Sequence, residues 1–501
     1  MDEIRQHEPS TRALFALTLA AAVLRLGGLG ADLSVDELFR VLWLTQPGAD
    51  FLPQAAVRCS GAALTAAWIK SAWTLWQSPT LLRLPFALAG VVSVPLLALI
   101  VARISKSART GLIAGWLLAL SPFHILYSHQ AEEYVLATLI ALLGLELVRA
   151  LIETPERAAS LAPGIALLEL FGLLLGGYWT LPFFLAMALG ILWTLRARLE
   201  LPDWLALGLA QLPMLAAVMV VLPPLLDPAA RAMHGVLSAD LVVQRPGAAL
   251  LGTFFAVDSL LRAPALPTWV FALETSAALL LLAGLAFGAR RLWRFEATLP
   301  LAIAGALGPL LMAIALLAAG RPPVFYARGY AAFVPILLLL AAAAFESLPR
   351  RAALAVGAAG GLLVCAFFAV VFSSEFRSAF SIRALQTRAV ASLPEDTTLR
   401  MHPEEFASVA AFYGSELPVT WRGITRDPPA TAAAWAALAE PASDAQLNDW
   451  SARIEDAGDC AFIYEPILHR RDPRGGLSAR LRAAGYRERY FENGVSVLCP
   501  E

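Results

Sequence analysis

Long apolar runs recur along most of this 501-residue chain, and they constrain its fold more than any other feature. A helix needs about 20 mostly apolar residues to cross the hydrocarbon core of a bilayer. Runs of roughly that length lie at 13–29, 84–101, 111–127, 134–148, 161–177, 181–195, 204–222, 269–287, 297–319, 331–345 and 352–372. The pattern predicts an all-α polytopic membrane bundle of about eleven transmembrane helices.

Composition excludes several other classes of protein. The chain is 58% hydrophobic and 15% charged, whereas a soluble domain carries about 25% charged residues. A soluble enzyme, a secreted disulfide scaffold and a disordered chain are therefore excluded. Net charge is −1, from 38 basic and 39 acidic residues, so no basic field indicates a nucleic-acid partner. Membrane lipids are the partners that this composition predicts.

The distribution of arginine and lysine predicts the orientation. Basic residues recur at every second connection, at Arg103, Lys106 and Arg109, then Arg157, then Arg196 and Arg198, then Arg290, Arg291 and Arg294, then Arg350 and Arg351. The positive-inside bias places these connections and the N-terminus in the cytoplasm, and the C-terminal segment outside. No A-x-A-like cleavage site follows run 13–29, and Arg25 interrupts it, so we expect a retained first span.

Two domains are expected: a transmembrane domain over 1–373, with a first outer loop over about 30–83, and a small extracytoplasmic α/β domain over 374–501. The second region is charged and mixed in composition. Helical patterns lie at 381–393, 404–413, 443–453 and 477–484, and strand patterns at 397–401, 459–464 and in a hairpin over 486–498 around Asn493-Gly494.

The four cysteines divide between these regions. Cys365 lies within an apolar run and is read as a small apolar filler. Cys460 and Cys499 lie on predicted strands in a compartment where disulfides persist, so a bridge between them is a hypothesis. No Cys/His spacing resembles a zinc site.

Asp36 and Glu37 follow the first span directly and have two interpretations. Acidic residues in a first helical turn are favoured by the helix dipole, which is a structural role. Alternatively, a carboxylate held at the membrane surface is partly dehydrated, and its basicity rises enough for general-base catalysis. Glu169 lies in the middle of a run, where an acid faces either a polar partner on a neighbouring helix or a site.

Several short motifs occur in a characteristic order. Arg25 is followed by Asp36-Glu37, by LLRLPFALAG at 81–90 and by ALSPFHILYS at 119–128, and Arg328-Gly329-Tyr330 precedes a late span. This series resembles the polyprenyl-phosphate-sugar-dependent C-type (GT-C) membrane glycosyltransferases. In particular it resembles the bacterial relatives of protein O-mannosyltransferases and of the aminoarabinose and galacturonic-acid transferases of lipopolysaccharide, a glycosyltransferase family 39-like group. The resemblance covers most of the membrane part.

The resemblance implies an enzyme of the bacterial inner membrane. It would transfer sugar from a polyprenyl-phosphate donor to a hydroxyl of a lipid, glycan or protein acceptor on the extracytoplasmic face, by an inverting displacement. Asp36 would be the general base, and Glu37 would orient the acceptor or a cation. Substrate-binding candidates are Arg25, Arg58, Lys70, His129, Glu132, Glu133, Arg328 and Tyr330. No cofactor is required, although two carboxylates would also suit Mg²⁺ or Mn²⁺.

Departures from the family pattern leave alternatives open. Arg58-Cys59-Ser60-Gly61 occupies the region of an HPPL-like stretch. Where the family has Gln-Glu-Ala-Arg, this chain has Gln130 in place of the acid and Glu132 in place of the arginine. A catalytically inactive relative therefore stays open, as does a transporter or lipid flippase. A transporter would be expected to carry charged or broken-helix sites near the midplane and inverted repeats.

Overall fold

A computed structural model gives the structure of residues 7–45, 51, 52, 55, 59–226, 268–293, 295, 308, 311, 327–371, 382–402, 417–423, 442–464, 472, 475–492 and 495–501. The chain forms two compact units. Unit 1 comprises Met1–Leu33, Arg40–Leu225 and Val242–Phe367, and unit 2 comprises Ser34–Phe39, Leu226–Leu241 and Phe368–Glu501. The domain bounds 1–373 and 374–501 stay a prediction.

Helices dominate the described residues up to Val371. They are α1 Thr11–Leu26, α2 Val35–Leu44, α3 Ala63–Trp76, α4 Pro79–Ser105, α5 Ala108–Ala119, α6 Pro122–Ser128, α7 Tyr134–Glu153, α8 Ala158–Gly176, α9 Leu181–Leu195, α10 Leu201–Ala210, α11 Leu212–Leu226, α12 Thr268–Leu292, α13 Val334–Glu346 and α14 Arg350–Val371. Short 3₁₀ segments at Pro155–Arg157, Gly177–Thr180 and Ala327–Phe333 precede α8, α9 and α13.

Several of these helices are long and apolar enough to cross a bilayer. In the described part of the chain there are six such segments, at Pro79–Ser105, Tyr134–Glu153, Pro155–Leu195, Leu201–Val221, Thr275–Leu292 and Arg328–Glu346. A seventh is the pair α5 and α6, bent by 56°. The protein is therefore built for several membrane passes. The count of eleven stays a prediction, because most of run 297–319 lies outside the described residues.

Serine caps define where several helices begin. Ser10, Ser78, Ser107 and Ser121 each accept a hydrogen bond from the backbone N–H three residues later, at the starts of α1, α4, α5 and α6. Such a cap satisfies a donor that the first helical turn leaves unpaired. Proline follows Ser78 and Ser121 directly, at a position where it costs no hydrogen bond. The Ser121-Pro122 junction therefore starts a new helix instead of continuing α5.

Polar side chains form two layers, one near each end of the long helices. In α4, Arg83 lies in the second turn and Arg103 in the last turn. Glu133 directly precedes α7, and Glu153 ends it after 20 residues. A 20-residue helix rises about 30 Å. The two arginines of α4, and likewise the two glutamates at the ends of α7, are therefore separated by about the thickness of a hydrocarbon core.

One polar layer joins segments that the sequence assigns to the cytoplasmic side. Arg103 contacts Glu8 at 2.8 Å and Glu146 at 2.9 Å. Glu346, at the end of α13, accepts hydrogen bonds from Ser107 at 2.7 Å and Thr110 at 2.5 Å, and Arg291 lies 3.0 Å from it. The N-terminal segment and α7 thus meet at Arg103 near the end of α4, and the α4–α5 turn, the start of α5 and the end of α12 meet Glu346 at the end of α13.

Unit 2 contains a five-stranded sheet in the order β2-β1-β3-β5-β4. Its strands are β1 Thr397–His402, β2 Val419–Gly423, β3 Cys460–Tyr464, β4 Arg487–Glu492 and β5 Val495–Cys499. β1 pairs in parallel with β2 and β3, whereas β5 pairs antiparallel with β3 and β4. The predicted hairpin is confirmed, although Asn493 and Gly494 lie outside the described residues.

In the described part of unit 2, three helices accompany the sheet: α15 Ile382–Val390, α16 Asp444–Ala457 and α17 Gly476–Ala483. Leu447 and Ile454 of α16 and Leu481 of α17 form a core with Ala461 and Leu498 of the sheet. The predicted helical patterns at 381–393, 443–453 and 477–484 correspond to these three helices, and 404–413 lies outside the described residues. The Cys460–Cys499 disulfide is confirmed.

Candidate functional site

A buried ion pair lies at the start of α7 in unit 1. Arg40 Nη1 donates to Glu133 Oε2 at 2.5 Å, and the two side chains are 8% and 0% exposed. Glu133 Oε1 accepts a second hydrogen bond, from Ser60 Oγ at 2.6 Å. Charge-assisted hydrogen bonds of this kind are the stronger class. Both oxygens of Glu133 are therefore engaged, and the carboxylate links α2 to the turn before α3.

Ser60 continues this network through an unusual turn. Its backbone has φ +54° and the next residue, Gly61, has φ +80°. Ser60 Oγ accepts from Trp179 Nε1 at 2.8 Å, and its carbonyl oxygen accepts from the Tyr178 N–H at 2.8 Å. At Gly177, φ is +71° and a Cβ would lie 2.5 Å from the Ser60 carbonyl oxygen. Only glycine suits that position.

Glu132 lies between two arginines. Its Oε2 is 3.8 Å from Arg40 Nη2 and 3.7 Å from Arg328 Nη1, and its side chain is 1% exposed. Arg328 is 16% exposed and sits on the 3₁₀ segment before α13, 5.9 Å from the Tyr134 ring centroid. Burial by itself would lower the pKa of Arg40, but Glu133 and Glu132 raise it well above its ordinary value. The two acids and two arginines balance in charge.

Asp36 and Glu37, the two acids after the first apolar run, lie in different surroundings. The Ser34 N–H donates to Glu37 Oε2 at 2.8 Å, and the Glu37 N–H donates to Ser34 Oγ at 3.2 Å. This reciprocal arrangement is a capping box that fixes the start of α2, and Glu37 is 1% exposed. Asp36 is half-buried in the first turn of the same helix, one turn before Arg40.

Arg25 is fully buried and engaged by protein atoms. It donates to the carbonyl oxygens of Leu118 at 2.8 Å and Ala119 at 3.1 Å, and its Nη2 lies 3.0 Å from His124 Nδ1. The last carbonyls of a helix lack partners and carry partial negative charge, so a cation there is stabilising. Arg25 therefore closes the end of α5 at the bend before α6. This geometry favours a structural role for a residue predicted to bind substrate.

His129 follows α6 and lies among cationic groups. Burial, then Arg83 and Arg25, lower its pKa to about 4, so its imidazole is neutral near pH 7. Arg83 in turn donates to the carbonyl oxygens of Leu29 at 2.9 Å, Ala31 at 2.7 Å and Asp32 at 2.9 Å. A neutral His129 can donate or accept one hydrogen bond, but it adds no positive charge for a phosphate.

The remaining predicted residues are more dispersed. Lys70 lies on α3, 5.8 Å from the Phe51 ring centroid. Tyr330 is half-buried, with its ring centroid 6.3 Å from that of Phe333. Arg58 lies outside the described residues. Of the predicted substrate-binding residues, the structure brings together Glu132, Glu133 and Arg328.

The acids at this end of unit 1 are not arranged as metal ligands. Among the described residues, no three His, Cys, Asp or Glu side chains converge as a cation site would require. Glu133 is committed to Arg40 and Ser60, and Glu132 faces two arginines. These two carboxylates, already engaged by arginine and serine, do not fit Mg²⁺ or Mn²⁺.

Glu169 has the polar partner that its depth predicted. Gln211 Nε2 donates to Glu169 Oε1 at 3.3 Å, and Glu169 lies on α8. Gln211 lies at the break between α10 and α11. The hydrogen bond joins α8 to this break, which agrees with a packing role.

Sequence reasoning missed three members of the buried network: Arg40, Ser60 and Trp179. Arg40 lies four residues after Asp36, a spacing that predicts a pair within the helix, not a bond to α7. Ser60-Gly61 carried a turn signal, since serine and glycine favour turns. Neither signal identifies Glu133 as the partner, because these residues meet only when distant segments pack.

Comparison with known proteins gives structural similarity alone. No family model matches the chain, and no curated protein matches its sequence. The crystal structure of ArnT from Cupriavidus metallidurans bound to undecaprenyl phosphate is similar, with TM-score 0.48, 14% identity and coverage of 97% of each chain. The apo state of the same protein gives TM-score 0.43 and 13% identity, covering 97% of this chain and 96% of that one. TM-scores below 0.5 at such identity assign neither a residue role nor a ligand to this chain.

Proposed function

We propose that this protein is an integral membrane glycosyltransferase. In this proposal it moves a sugar from a polyprenyl-phosphate-linked donor to a hydroxyl of a lipid, glycan or protein acceptor on the extracytoplasmic face. The observation that carries the proposal is a buried cluster in which the motif residues Glu132, Glu133 and Arg328, from sequence-distant segments, meet Arg40. A lipid donor also accounts for the membrane-embedded fold, because its tail stays in the bilayer while its phosphate reaches the interface.

The chemistry needs a base and a cation. Asp36 would take the proton of the acceptor hydroxyl while that oxygen attacks C1 of the sugar. The new C1–O bond forms as the bond from C1 to the phosphate oxygen breaks, which inverts the anomeric centre. Polyprenyl phosphate leaves with the bonding electron pair, and a cation offsets its charge.

Arg328 is the best placed cation for the departing phosphate among the cluster's arginines. Its side chain is 16% exposed against 8% for Arg40. Its 3.7 Å contact with Glu132 is longer than a hydrogen bond, so a phosphate oxygen at hydrogen-bond distance would compete well for the guanidinium. Arg40 would stay with Glu133 and hold α2, the helix that carries Asp36.

The experiment is complementation of a deletion strain, read out by its lipid-linked glycans and envelope polysaccharides. We expect the wild type to restore the missing product and Asp36→Asn to abolish transfer, although that variant inserts and purifies normally. Loss of a general base costs about 10²–10⁴-fold in rate. Glu37→Gln is the matched control, because it alters the neighbouring capping acid and should retain transfer. Wild-type transfer by Asp36→Asn would remove Asp36 as the base.

The transport alternative has its own measurement. Protein in sealed liposomes would be offered the polyprenyl-phosphate sugar together with an envelope extract that supplies acceptor hydroxyls, and both the movement of the donor and any covalent product would be followed. We expect glycosylated product. Translocation of intact donor with no new glycosidic bond would replace the proposal with a flippase function.

A further inference from the structure

Unit 2 contains a cleft that the proposed transfer chemistry does not use. It has a volume of about 760 Å³ and lies at the end of the sheet where β1 and β3 begin and β5 ends. Small-molecule sites commonly have volumes of about 300–1,000 Å³. The Cys460–Cys499 disulfide lines the cleft and links β3 to β5, so that wall is covalently fixed.

Two backbone irregularities place charged residues on this cleft. Arg489 has no partner in the β4–β5 register, because the pairing shifts between Glu488 and Tyr490. Bulges of this kind re-aim side chains and are frequent beside functional sites. Asp396, which precedes β1, has φ +63°. Local conformations of this kind, in non-glycine residues, are also enriched at ligand sites.

Neither of these two residues has an oppositely charged partner within the described part of the chain. Arg489 and Asp396 are both exposed, and neither forms an ion pair there. The third charged residue of the cleft, Asp459, is already paired, since its Oδ2 accepts from Arg400 Nε at 2.6 Å. The cleft therefore offers one available cation and one available carboxylate.

Two hydroxyl groups of the cleft, those of Thr397 and Ser392, donate to the protein backbone and keep only acceptor capacity for a ligand. Thr397 Oγ1 donates its hydrogen to the Pro394 carbonyl at 2.6 Å, and Ser392 Oγ donates to the Ala389 carbonyl at 2.7 Å. Each oxygen keeps lone pairs that can accept from a ligand. Together with Asp396, they form an acceptor-rich surface that suits a ligand with many O–H donors.

The width of the cleft limits the size of that ligand. Asp396 precedes β1 and Arg489 lies on β4, with β3 and β5 between them in the sheet. Three strand spacings amount to about 14 Å. A ligand that reaches from Asp396 to Arg489 is thus longer than one sugar ring. We propose that this cleft binds a short saccharide carrying a carboxylate or phosphate, with the anionic group at Arg489 and the hydroxyls at Asp396, Thr397 and Ser392.

The test uses two disaccharides that differ in one carboxylate. Cellobiouronic acid and cellobiose are titrated into the full-length protein in detergent, and binding is followed by calorimetry. We expect the acid to bind at least about tenfold more tightly, the difference of one charge-assisted hydrogen bond. Equal affinity for the two ligands, or no binding of either, would overturn the proposal.

Variants assign the contacts. Arg489→Gln should remove the preference for the acid while Arg489→Lys retains most of it, and Asp396→Asn should weaken both ligands, since asparagine tolerates the positive φ. Arg453→Gln is the matched control, because Arg453 is also an exposed arginine, lies on α16 away from the cleft lining and pairs with Asp449. If inorganic phosphate displaces the acid while cellobiose has no measurable affinity, the cleft is a simple anion site and the saccharide assignment fails.

Discussion

The Glu133 side chain is fully buried and both its carboxylate oxygens are hydrogen-bonded. The stability of the folded state therefore depends strongly on its negative charge. Glu133→Gln would leave Arg40 buried without its main counter-charge. We expect a loss of about 3 kcal/mol in the free energy of unfolding, the usual range for breaking a buried ion pair. Thermal unfolding in detergent measures it.

The matched control lies at the other end of α7. Glu153 pairs with Arg149 and is 46% exposed. Glu153→Gln should change the unfolding free energy by no more than about 0.5 kcal/mol, because exposed ion pairs contribute little. Equal destabilisation by both variants would contradict the importance assigned to burial at Glu133.

The pH dependence of stability provides a test of His129. Its folded pKa is about 4, whereas an unfolded histidine titrates near 6.5. Below about pH 6.5 the unfolded chain binds a proton that the folded chain does not, so stability falls as the pH drops toward 4. We expect His129→Gln to show a smaller fall in unfolding temperature than the wild type between pH 7 and 4.5. Parallel curves for the two proteins would contradict the assigned pKa.

At the scale of elements, the 3₁₀ segment before α9 depends on one glycine. Gly177 approaches the Ser60 carbonyl and has a positive φ, so Gly177→Ala adds both strain and a steric clash. We expect a loss of more than about 1 kcal/mol in unfolding free energy, together with a shift in the fluorescence of neighbouring Trp179. Tryptophan emission of the folded protein measures the spectral shift, and its change during unfolding measures the free energy.

Gly208 in α10 provides the opposite control. A Cβ there would meet nothing within 4 Å, and the residue lies within the helix without a positive φ. Gly208→Ala should therefore stabilise the protein by about 0.5–1 kcal/mol, since alanine is the better helix former. Destabilisation by Gly208→Ala, or tolerance of Gly177→Ala, would contradict this account of the 3₁₀ segment.

At the scale of the whole molecule, the disulfide bears on the compartment in which 374–501 folds, because disulfides persist in oxidising compartments. Cys460 and Cys499 are bridged, whereas neither Cys59 nor Cys365 belongs to a disulfide. Alkylation of denatured, unreduced protein should therefore label two cysteines, and labelling of all four would contradict both the bridge and the prediction that 374–501 lies outside the cytoplasm. The bridge spans 39 residues, so replacing both cysteines by alanine should cost about 4 kcal/mol by the chain-entropy estimate.

Local patterns were enough to predict most elements of unit 2 but not all of them. β1, β3 and the β4–β5 hairpin were predicted because their apolar and β-branched residues are bounded by turn residues. β2 was missed. It has five residues, and its strand character comes from parallel pairing with β1, more than twenty positions earlier in the chain. Pairing across that distance leaves no local signal.

The sequence by itself determined that the chain enters a membrane, because apolar runs long enough to span a bilayer have no other favourable surroundings. It also determined the motif residues Asp36, Glu132, Glu133 and Arg328, since residue identity and order are one-dimensional properties. Tertiary structure alone decided which of them meet. Arg40 pairs with Glu133 across 93 positions, and Arg25 closes the end of α5. Such contacts depend on packing that brings buried charges to their partners, and no local pattern encodes it.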